Sequence, residues 1–141
     1  MKILVYDDNI DDIKQLENCI TNFFNKINEE YKIAYCQTQK ELFSLINSYD
    51  LLFLDIELSD ENGIDIGLKL RKMKTDCLVI ITTHYMKYAI DGYKIDAERY
   101  FIKPIVQSEF DIEMTHIMHK YYNNLLGFYD EKLSKNKIYF N

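Results

Sequence analysis

The stretch Leu51-Leu52-Phe53-Leu54-Asp55-Ile56-Glu57 decides the fold, because four large apolar residues are followed at once by a carboxylate. A short apolar run without alternation is typical of a strand buried on both faces, as in a parallel sheet. A carboxylate at the end of such a strand is costly unless the strand opens there onto solvent, a cation or a binding crevice. We therefore take Asp55 as the residue around which a functional site would be organised.

Four other segments are predicted strands, and segments with helical periodicity lie between them. The strands cover residues 3–6, 32–37, 78–81 and 100–102, in addition to the strand that ends at Asp55. Helices are predicted at residues 10–27, 38–46 and 64–73 and from Ser108 onward, with a short helix broken at Gly92 between Tyr85 and Tyr93. Asn9 and the Thr38–Glu41 pair are N-terminal capping signals. The spacing of Ile64, Leu68, Leu70 and Met73 predicts the third helix. Strands that alternate with helices in this way predict a doubly wound α/β fold, with a parallel sheet covered on both faces.

Length and composition indicate one soluble globular domain. The chain has 141 residues, of which 48% are hydrophobic and 28% are charged. No apolar run reaches the roughly 18 residues of a membrane span, and carboxylates come too early at the N-terminus for a secretory signal. The net charge of -6 argues against unaided binding to nucleic acid. Three cysteines without C-x-x-C spacing predict buried thiols in a reducing cytoplasm, so we expect a cytoplasmic protein without a membrane partner.

Polar side chains follow four of the five predicted strands: Asp7 and Asp8, Asp55, Thr83 and Lys103. The carboxyl ends of parallel strands lie on one edge of the sheet, where ligands bind. Three carboxylates within about 4 Å repel each other by roughly 4 kcal/mol per pair at an effective dielectric near 20, so such a cluster raises its pKa values or binds a cation. Oxygen ligands at a hydrated site favour Mg²⁺. A carboxylate beside Mg²⁺, a lysine and a hydroxyl are the groups needed for phosphoryl transfer to an aspartate.

With these residues the chain resembles the receiver domain of two-component response regulators. Besides the strand-end residues, Gly63 after the acidic loop and residues 100–104 at the fifth strand match the family, and the resemblance covers about residues 2 to 122. The segments Thr83-His84-Tyr85 and Tyr88-Ala89-Ile90 look most like regulators with a LytTR-type DNA-binding output domain. The resemblance implies a flavodoxin-like fold, with five parallel strands in the order 2-1-3-4-5 and helices on both faces.

The resemblance also implies a phosphoacceptor and a metal site. Asp55 would take a phosphoryl group from a sensor histidine kinase. Asp8 would bind Mg²⁺ directly and Asp7 mainly through water, while the backbone carbonyl of Glu57 would complete the protein ligands. The family acts as a signalling domain that catalyses its own phosphorylation and dephosphorylation, not as an enzyme with a separate substrate.

Two further roles follow from the same resemblance. Lys103 would pair with the phosphoryl group, next to a cis peptide bond to Pro104. Strand alternation lets only one of Thr82 and Thr83 face the site, and the family's spacing favours Thr83. Tyr100 would be the aromatic switch residue, which turns inward when Thr83 moves toward the phosphoryl group.

The chain departs from the family pattern around Asp55. The family commonly has a proline where Ser59 stands, so this loop is expected to be more mobile. His84 replaces a small residue after the switch threonine, while Glu57 and Tyr85 occupy positions that tune the lifetime of the phosphoryl group. We expect this crowding to slow autodephosphorylation.

The domain division and the partners follow from the same comparison. Residues 1–122 would form the receiver, and residues 123–141 a C-terminal extension or the start of a linker to an output domain that this chain lacks. Homodimerisation is expected through the last strand and helix, and DNA binding only through the missing domain. Two alternatives stay open at this point: an aspartyl-nucleophile, Mg²⁺-dependent phosphohydrolase, and a receiver-like binding module that works without phosphate.

Overall fold

Five parallel strands form one sheet in the computed structural model, which describes residues 1–58, 62–88 and 94–135. The strands are β1 (Lys2–Tyr6), β2 (Lys32–Cys36), β3 (Leu51–Asp55), β4 (Leu78–Thr83) and β5 (Arg99–Ile102). They are hydrogen-bonded in the order β2-β1-β3-β4-β5. The predicted fold and strand order are therefore confirmed.

The helices are α1 (Ile10–Lys26), α2 (Gln39–Leu45), α3 (Gly63–Met73) and α4 (Gln107–Lys135), with 3₁₀ turns at Ile46–Ser48 and Met86–Tyr88. The predicted caps are present: the Asn9 side chain accepts from the Asp12 amide at 3.0 Å, and the Thr38 hydroxyl accepts from the Glu41 amide at 3.1 Å. The 3₁₀ turn at Met86–Tyr88 lies within the segment where a short helix was predicted. The rest of that segment, residues 89–93, and Ser59 lie outside the described residues. None of the helices in the described ranges is both long and apolar enough to span a membrane.

Two apolar layers sandwich the sheet. Alternate residues of β3 enter different layers, so that Phe53 packs with α1 and α4 while Leu54 packs with α2 and α3. All five residues of β3 are buried, as the apolar run predicted. The three cysteines are buried free thiols, also as predicted. The layers cover the faces of the sheet but leave the carboxyl ends of its strands at one edge.

The third predicted helix is present as α3, which begins one residue before the predicted range. Of the residues whose spacing predicted it, Ile64 and Leu70 are buried, Leu68 is partly buried and Met73 is 43% exposed. The spacing predicted the helix, and the packing decided which of its residues face inward.

The last helix continues beyond the expected end of the domain. The predicted boundary at residue 122 falls inside α4, which runs without interruption to Lys135. No end of secondary structure marks that boundary, and the division at residue 122 stays a prediction.

Candidate functional site

Asp7, Asp8 and Asp55 lie together at the carboxyl edge of the sheet. One carboxylate oxygen from each lies within 4.8 Å of the others. The cluster forms because β1 and β3 are neighbours in the sheet, with Tyr6 opposite Leu54 in register, so that the residues after them emerge side by side. Asp7 and Asp55 are buried and Asp8 is exposed. The site therefore opens to solvent on the side of Asp8.

Asp55 is a buried carboxylate with a strongly raised pKa. Burial raises the pKa of Asp55 to about 7. A hydrogen bond from the Glu57 amide to Oδ1, at 2.9 Å, and the charge of Lys103 act against this rise, whereas the charge of Asp7 adds to it. The ionised form of Asp55, which a nucleophile requires, thus depends on nearby positive charge.

Lys103 supplies that charge from within the protein. Its ammonium group lies 3.0 Å from carboxylate oxygens of both Asp7 and Asp12 and 3.5 Å from Oδ1 of Asp55, and its side chain is only 3% exposed. Burial favours the neutral amine, but these three carboxylates outweigh it, and the pKa of Lys103 is raised. The Lys103–Pro104 peptide bond is cis, as the family resemblance implied. The ammonium therefore stays charged and neutralises part of the acidic cluster.

The backbone on either side of Lys103 is anchored to other elements. The Lys103 amide donates to the carbonyl oxygen of Thr83 at 2.7 Å, which continues the pairing of β4 with β5. The Ile105 amide donates to the Gln15 side chain in α1 at 3.0 Å. These two bonds hold the segment after β5 over the carboxyl edge of the sheet.

Asp12 is a site residue that the sequence analysis missed. It lies in the first turn of α1 and contacts Lys103 as closely as Asp7 does. A signal was present, because Asp12 lies in the first turn of the helix that directly follows Asp7 and Asp8. Its contact with Lys103 is a tertiary contact, which depends on how the lysine side chain lies over the edge of the sheet.

Glu57 uses its side chain at the site, in addition to the backbone carbonyl that was predicted to bind the metal. One carboxylate oxygen, Oε1, accepts from the Thr83 hydroxyl and from the His84 amide. The other, Oε2, lies 2.8 Å from Nδ1 of the His84 ring. Burial acts to raise the pKa of Glu57, but the bonds from Thr83 and His84 outweigh it and the pKa is lowered. Glu57 is thus held as a carboxylate, and the role of its carbonyl stays a prediction.

The two threonines at the end of β4 are both buried. Thr82 lies opposite Asp55 in register, while the Thr83 hydroxyl donates to Glu57 and accepts from the Tyr85 amide at 3.1 Å. Thr83 is therefore linked to the loop that follows the phosphoacceptor candidate.

Tyr100 lies in β5 opposite Ile81 and is 40% exposed. Its side chain thus faces the surface, where it lines a cavity together with Ile112 and Glu113 of α4. The role of Tyr100 as a switch stays a prediction.

Gly63 packs directly against the end of β3. A Cβ atom at this position would lie 2.5 Å from the Asp55 carbonyl oxygen and closer still to the Ile56 Cα atom. Any larger residue would have to displace this backbone. The glycine therefore lets α3 begin close enough to hold the segment after Asp55 in place.

The ligands of the acidic cluster fit Mg²⁺. Three carboxylates offer oxygen atoms only, and the exposed Asp8 leaves room for water ligands, which magnesium retains in most protein sites. A buried aspartate, an acidic cluster that could hold a hydrated cation and a buried lysine are the groups that acyl phosphate chemistry at Asp55 needs.

Comparison with known proteins identifies the family. The model of the response regulator receiver domain matches residues 3–114. The chain is a response regulator receiver domain. It is therefore a signalling domain of a two-component system.

The receiver is similar to curated regulators of staphylococci. It is 36% identical to the transcriptional regulatory protein LytR of Staphylococcus aureus (strain N315), over 79% of this chain and 44% of that protein. It is 34% identical to the sensory transduction protein LytR of Staphylococcus haemolyticus, over 88% of this chain and 48% of that protein. The receiver thus spans less than half the length of these relatives. Their names agree with the predicted similarity to the LytTR-output subgroup.

Solved structures show the same fold. The response regulatory domain of mrkE from Klebsiella pneumoniae superposes with a TM-score of 0.74 at 15% identity, covering 87% of the receiver and 99% of that chain. A two-component response regulator from Clostridium difficile superposes with a TM-score of 0.67 at 25% identity, covering 84% of the receiver and 96% of that chain.

Proposed function

We propose that Asp55 accepts a phosphoryl group from a sensor histidine kinase. One observation is the main support for this proposal. The buried Asp55 carboxylate, with a pKa of about 7, lies 3.5 Å from the buried Lys103 ammonium and within 4.8 Å of two further carboxylates. An oxygen of Asp55 attacks phosphorus, the bond from phosphorus to the histidine nitrogen of the donor breaks, and an acyl phosphate forms. Lys103 stabilises the charge on the transferred group.

We further propose that Asp8 holds Mg²⁺ directly, that Asp7 holds it mainly through water, and that Asp55 and the backbone carbonyl of Glu57 complete the ligands. Bound there, the cation would neutralise phosphoryl oxygens and favour the ionised form of Asp55. The domain would thereby catalyse its own phosphorylation and dephosphorylation. Support comes from the oxygen-only composition of the cluster and from the exposure of Asp8.

Phosphorylation is proposed to act by population shift. The group adds roughly -1.5 to -2 charges, and new bonds to Thr83 and Lys103 favour a second arrangement in which Tyr100 turns inward. The surface that responds comprises residues 85–93, β5 and α4. Two receivers would then associate through β5 and α4, where Tyr100 and Ile112 are exposed apolar side chains, together with Val106 directly before α4.

We propose that residues 1–122 are the receiver and that residues 123–141 are a C-terminal extension or the start of a linker to an output domain. The relatives named LytR are more than twice as long as their matched parts, and one is named a transcriptional regulator. DNA binding by such a protein would belong to its output domain, and we propose a cytoplasmic location, where bacterial DNA lies.

Incubation with acetyl phosphate and Mg²⁺, followed by intact mass measurement, tests the phosphoacceptor. We expect one phosphoryl equivalent on the wild type and none on Asp55→Asn, because the amide is not a nucleophile. Label that persists in Asp55→Asn would refute the assignment. Sustained release of phosphate from small phosphoesters would favour a phosphohydrolase, and an unlabelled wild type would favour a module that works without phosphate.

Replacing His84 by alanine is expected to shorten the lifetime of phosphorylated Asp55 by several-fold. The imidazole contacts Glu57 beside the site, and its removal opens a path for hydrolytic water. The rate of loss of the 80 Da label, measured by mass spectrometry, checks the prediction. His116→Ala, an exposed change on α4, is the control. An unchanged lifetime in His84→Ala would contradict the role of the ring.

A further inference from the structure

We infer that Glu57 and Asp12 are positioning residues that occupy, in the unphosphorylated receiver, the hydrogen-bond donors that the phosphoryl group uses. The inference rests on the proposed function, because it takes Asp55 as the phosphoacceptor and Thr83 and Lys103 as the groups that meet its phosphoryl oxygens. The phosphoryl group must then displace two carboxylates of the chain itself. Glu57 and Asp12 therefore set how readily the receiver is phosphorylated and switched.

Glu57 accepts hydrogen bonds from the donors at the end of β4, which lies beside Asp55 in the sheet. A single oxygen of its carboxylate accepts from both the Thr83 hydroxyl and the His84 amide. A hydroxyl and a neighbouring backbone amide that converge on one anionic oxygen are the arrangement that stabilises a phosphoryl oxygen. The Glu57 amide also donates to Asp55, so the competing carboxylate is attached to the segment that carries the phosphoacceptor. Glu57 thus acts as an internal anion in the place of the phosphoryl group.

Asp12, in α1, forms an ion pair with the Lys103 ammonium. The ammonium lies 3.0 Å from Asp12 and 3.0 Å from Asp7, but 3.5 Å from Asp55. Lys103 can approach a phosphoryl group on Asp55 only if it gives up part of its contact with the other two carboxylates. Asp7 belongs to the proposed metal cluster, whereas Asp12 is outside it. Asp12 is therefore the competitor that can be removed without changing a proposed metal ligand.

The His84 ring lies between the two competitors. Its Nδ1 atom is 2.8 Å from Glu57, and its Nε2 atom is 3.8 Å from Asp12. The side chains of Glu57 and Asp12 are 20% and 18% exposed, whereas that of His84 is 43% exposed. The three side chains together span from α1 to the segment after β3 at the solvent side of Lys103. The His84 ring thus links the two competing carboxylates.

The specific effect must be separated from that of charge alone. Loss of any acidic residue from a chain of net charge -6 favours an anion. Asp11 lies beside Asp12 in the first turn of α1 and is exposed, and Asp65 is an exposed acidic residue in the first turn of α3. Asp11→Ala and Asp65→Ala therefore remove the same charge from nearby positions without removing a bond to Lys103, Thr83 or His84.

The test measures the affinity of beryllofluoride, an analogue of the phosphoryl group, for the receiver in the presence of Mg²⁺. Glu57→Ala and Asp12→Ala are each expected to bind it about tenfold more tightly than the wild type, which corresponds to ~1.4 kcal/mol. Asp11→Ala and Asp65→Ala are expected to stay within about twofold of the wild type, because exposed charges are screened by salt. In Glu57→Gln an acceptor oxygen remains for Thr83, so its affinity should be intermediate.

A spectroscopic measurement distinguishes the positioning role from a structural one. In the wild type, the His84 amide proton should resonate downfield, since it bonds to a carboxylate. The resonance should move upfield in Glu57→Ala and stay in place in Asp65→Ala. Addition of beryllofluoride to the wild type should replace the Glu57 contact and shift the Glu57 side-chain carboxyl resonance. The downfield position of the His84 amide and the shift of the Glu57 carboxyl signal are both read on the wild type, so they test the inference even if a variant folds poorly.

The outcomes separate the inference from the proposed function. A wild type that neither binds beryllofluoride nor is labelled on Asp55 would overturn the proposed function. A wild type that is labelled, with Glu57→Ala and Asp12→Ala binding beryllofluoride no more tightly than Asp65→Ala and Asp11→Ala, would overturn the inference alone. An unshifted Glu57 carboxyl signal on saturation with beryllofluoride would do the same.

Discussion

Lys103→Met is expected to slow the labelling of Asp55 by acetyl phosphate by about 100-fold or more, the usual effect of removing one preorganised group that stabilises transition-state charge. Methionine keeps the length of the apolar stem and removes only the ammonium. Lys103→Arg is the matched comparison, because it keeps the charge but spreads it over a planar group that does not fit a site built around a point charge. We expect the labelling of Asp55 to be slowed less in Lys103→Arg than in Lys103→Met. Equal labelling rates in the wild type and Lys103→Met would contradict the role of the lysine.

The same variant should also be less stable. Lys103 is the buried partner of Asp7, Asp12 and Asp55, and removing one partner of a buried charge cluster costs about 3 kcal/mol in unfolding free energy. Without the lysine the buried carboxylates bind protons more readily when folded, so we expect the loss to be largest near pH 8 and smaller near pH 5. Urea unfolding at both pH values checks this. A loss that is the same at the two pH values would show that packing, not charge, is responsible.

Asp55→Asn is expected to stabilise the receiver at alkaline pH, by about 2 kcal/mol near pH 8 without Mg²⁺. Burial raises the pKa of Asp55 in the folded chain to about 7, from an ordinary value of 3.8. The folded state then holds the proton more tightly than the unfolded state does. The contribution of Asp55 to stability is present below its ordinary pKa and is lost as the pH rises toward 7. Asparagine does not titrate, so the stability of the variant relative to the wild type should increase between pH 4 and 7. The difference should persist at higher pH.

Chemical denaturation at several pH values measures the difference between the two chains. Asp65→Asn, an exposed carboxylate on α3, is the control and should change stability little at any of them. Mg²⁺ should reduce the difference in unfolding free energy between Asp55→Asn and the wild type, because a cation at the acidic cluster stabilises the ionised Asp55. A wild type whose stability rises between pH 4 and 7 relative to Asp55→Asn would contradict the raised pKa of this carboxyl.

Local pattern was enough to predict the architecture and the sheet edge. The apolar run before Asp55 predicted a doubly buried strand, and all five residues of β3 are buried. The caps at Asn9 and Thr38 were predicted because capping is a contact between residues two or three apart. The apolar spacing also predicted α3, but residues such as Leu68 and Leu70 left the choice of its inward face to the tertiary packing.

By itself the sequence determined which residues reach the carboxyl edge of the sheet, because strand order and direction bring Asp7, Asp55 and Thr83 there whatever their side chains contact. Only the tertiary structure decided the contacts among those side chains. Asp12 shares Lys103 with Asp7, and the Glu57 carboxylate contacts Thr83 and His84. These contacts join residues that are between 26 and 96 positions apart in the chain. Their geometry depends on how loops and long side chains settle over a finished sheet, and no periodicity in the sequence encodes that.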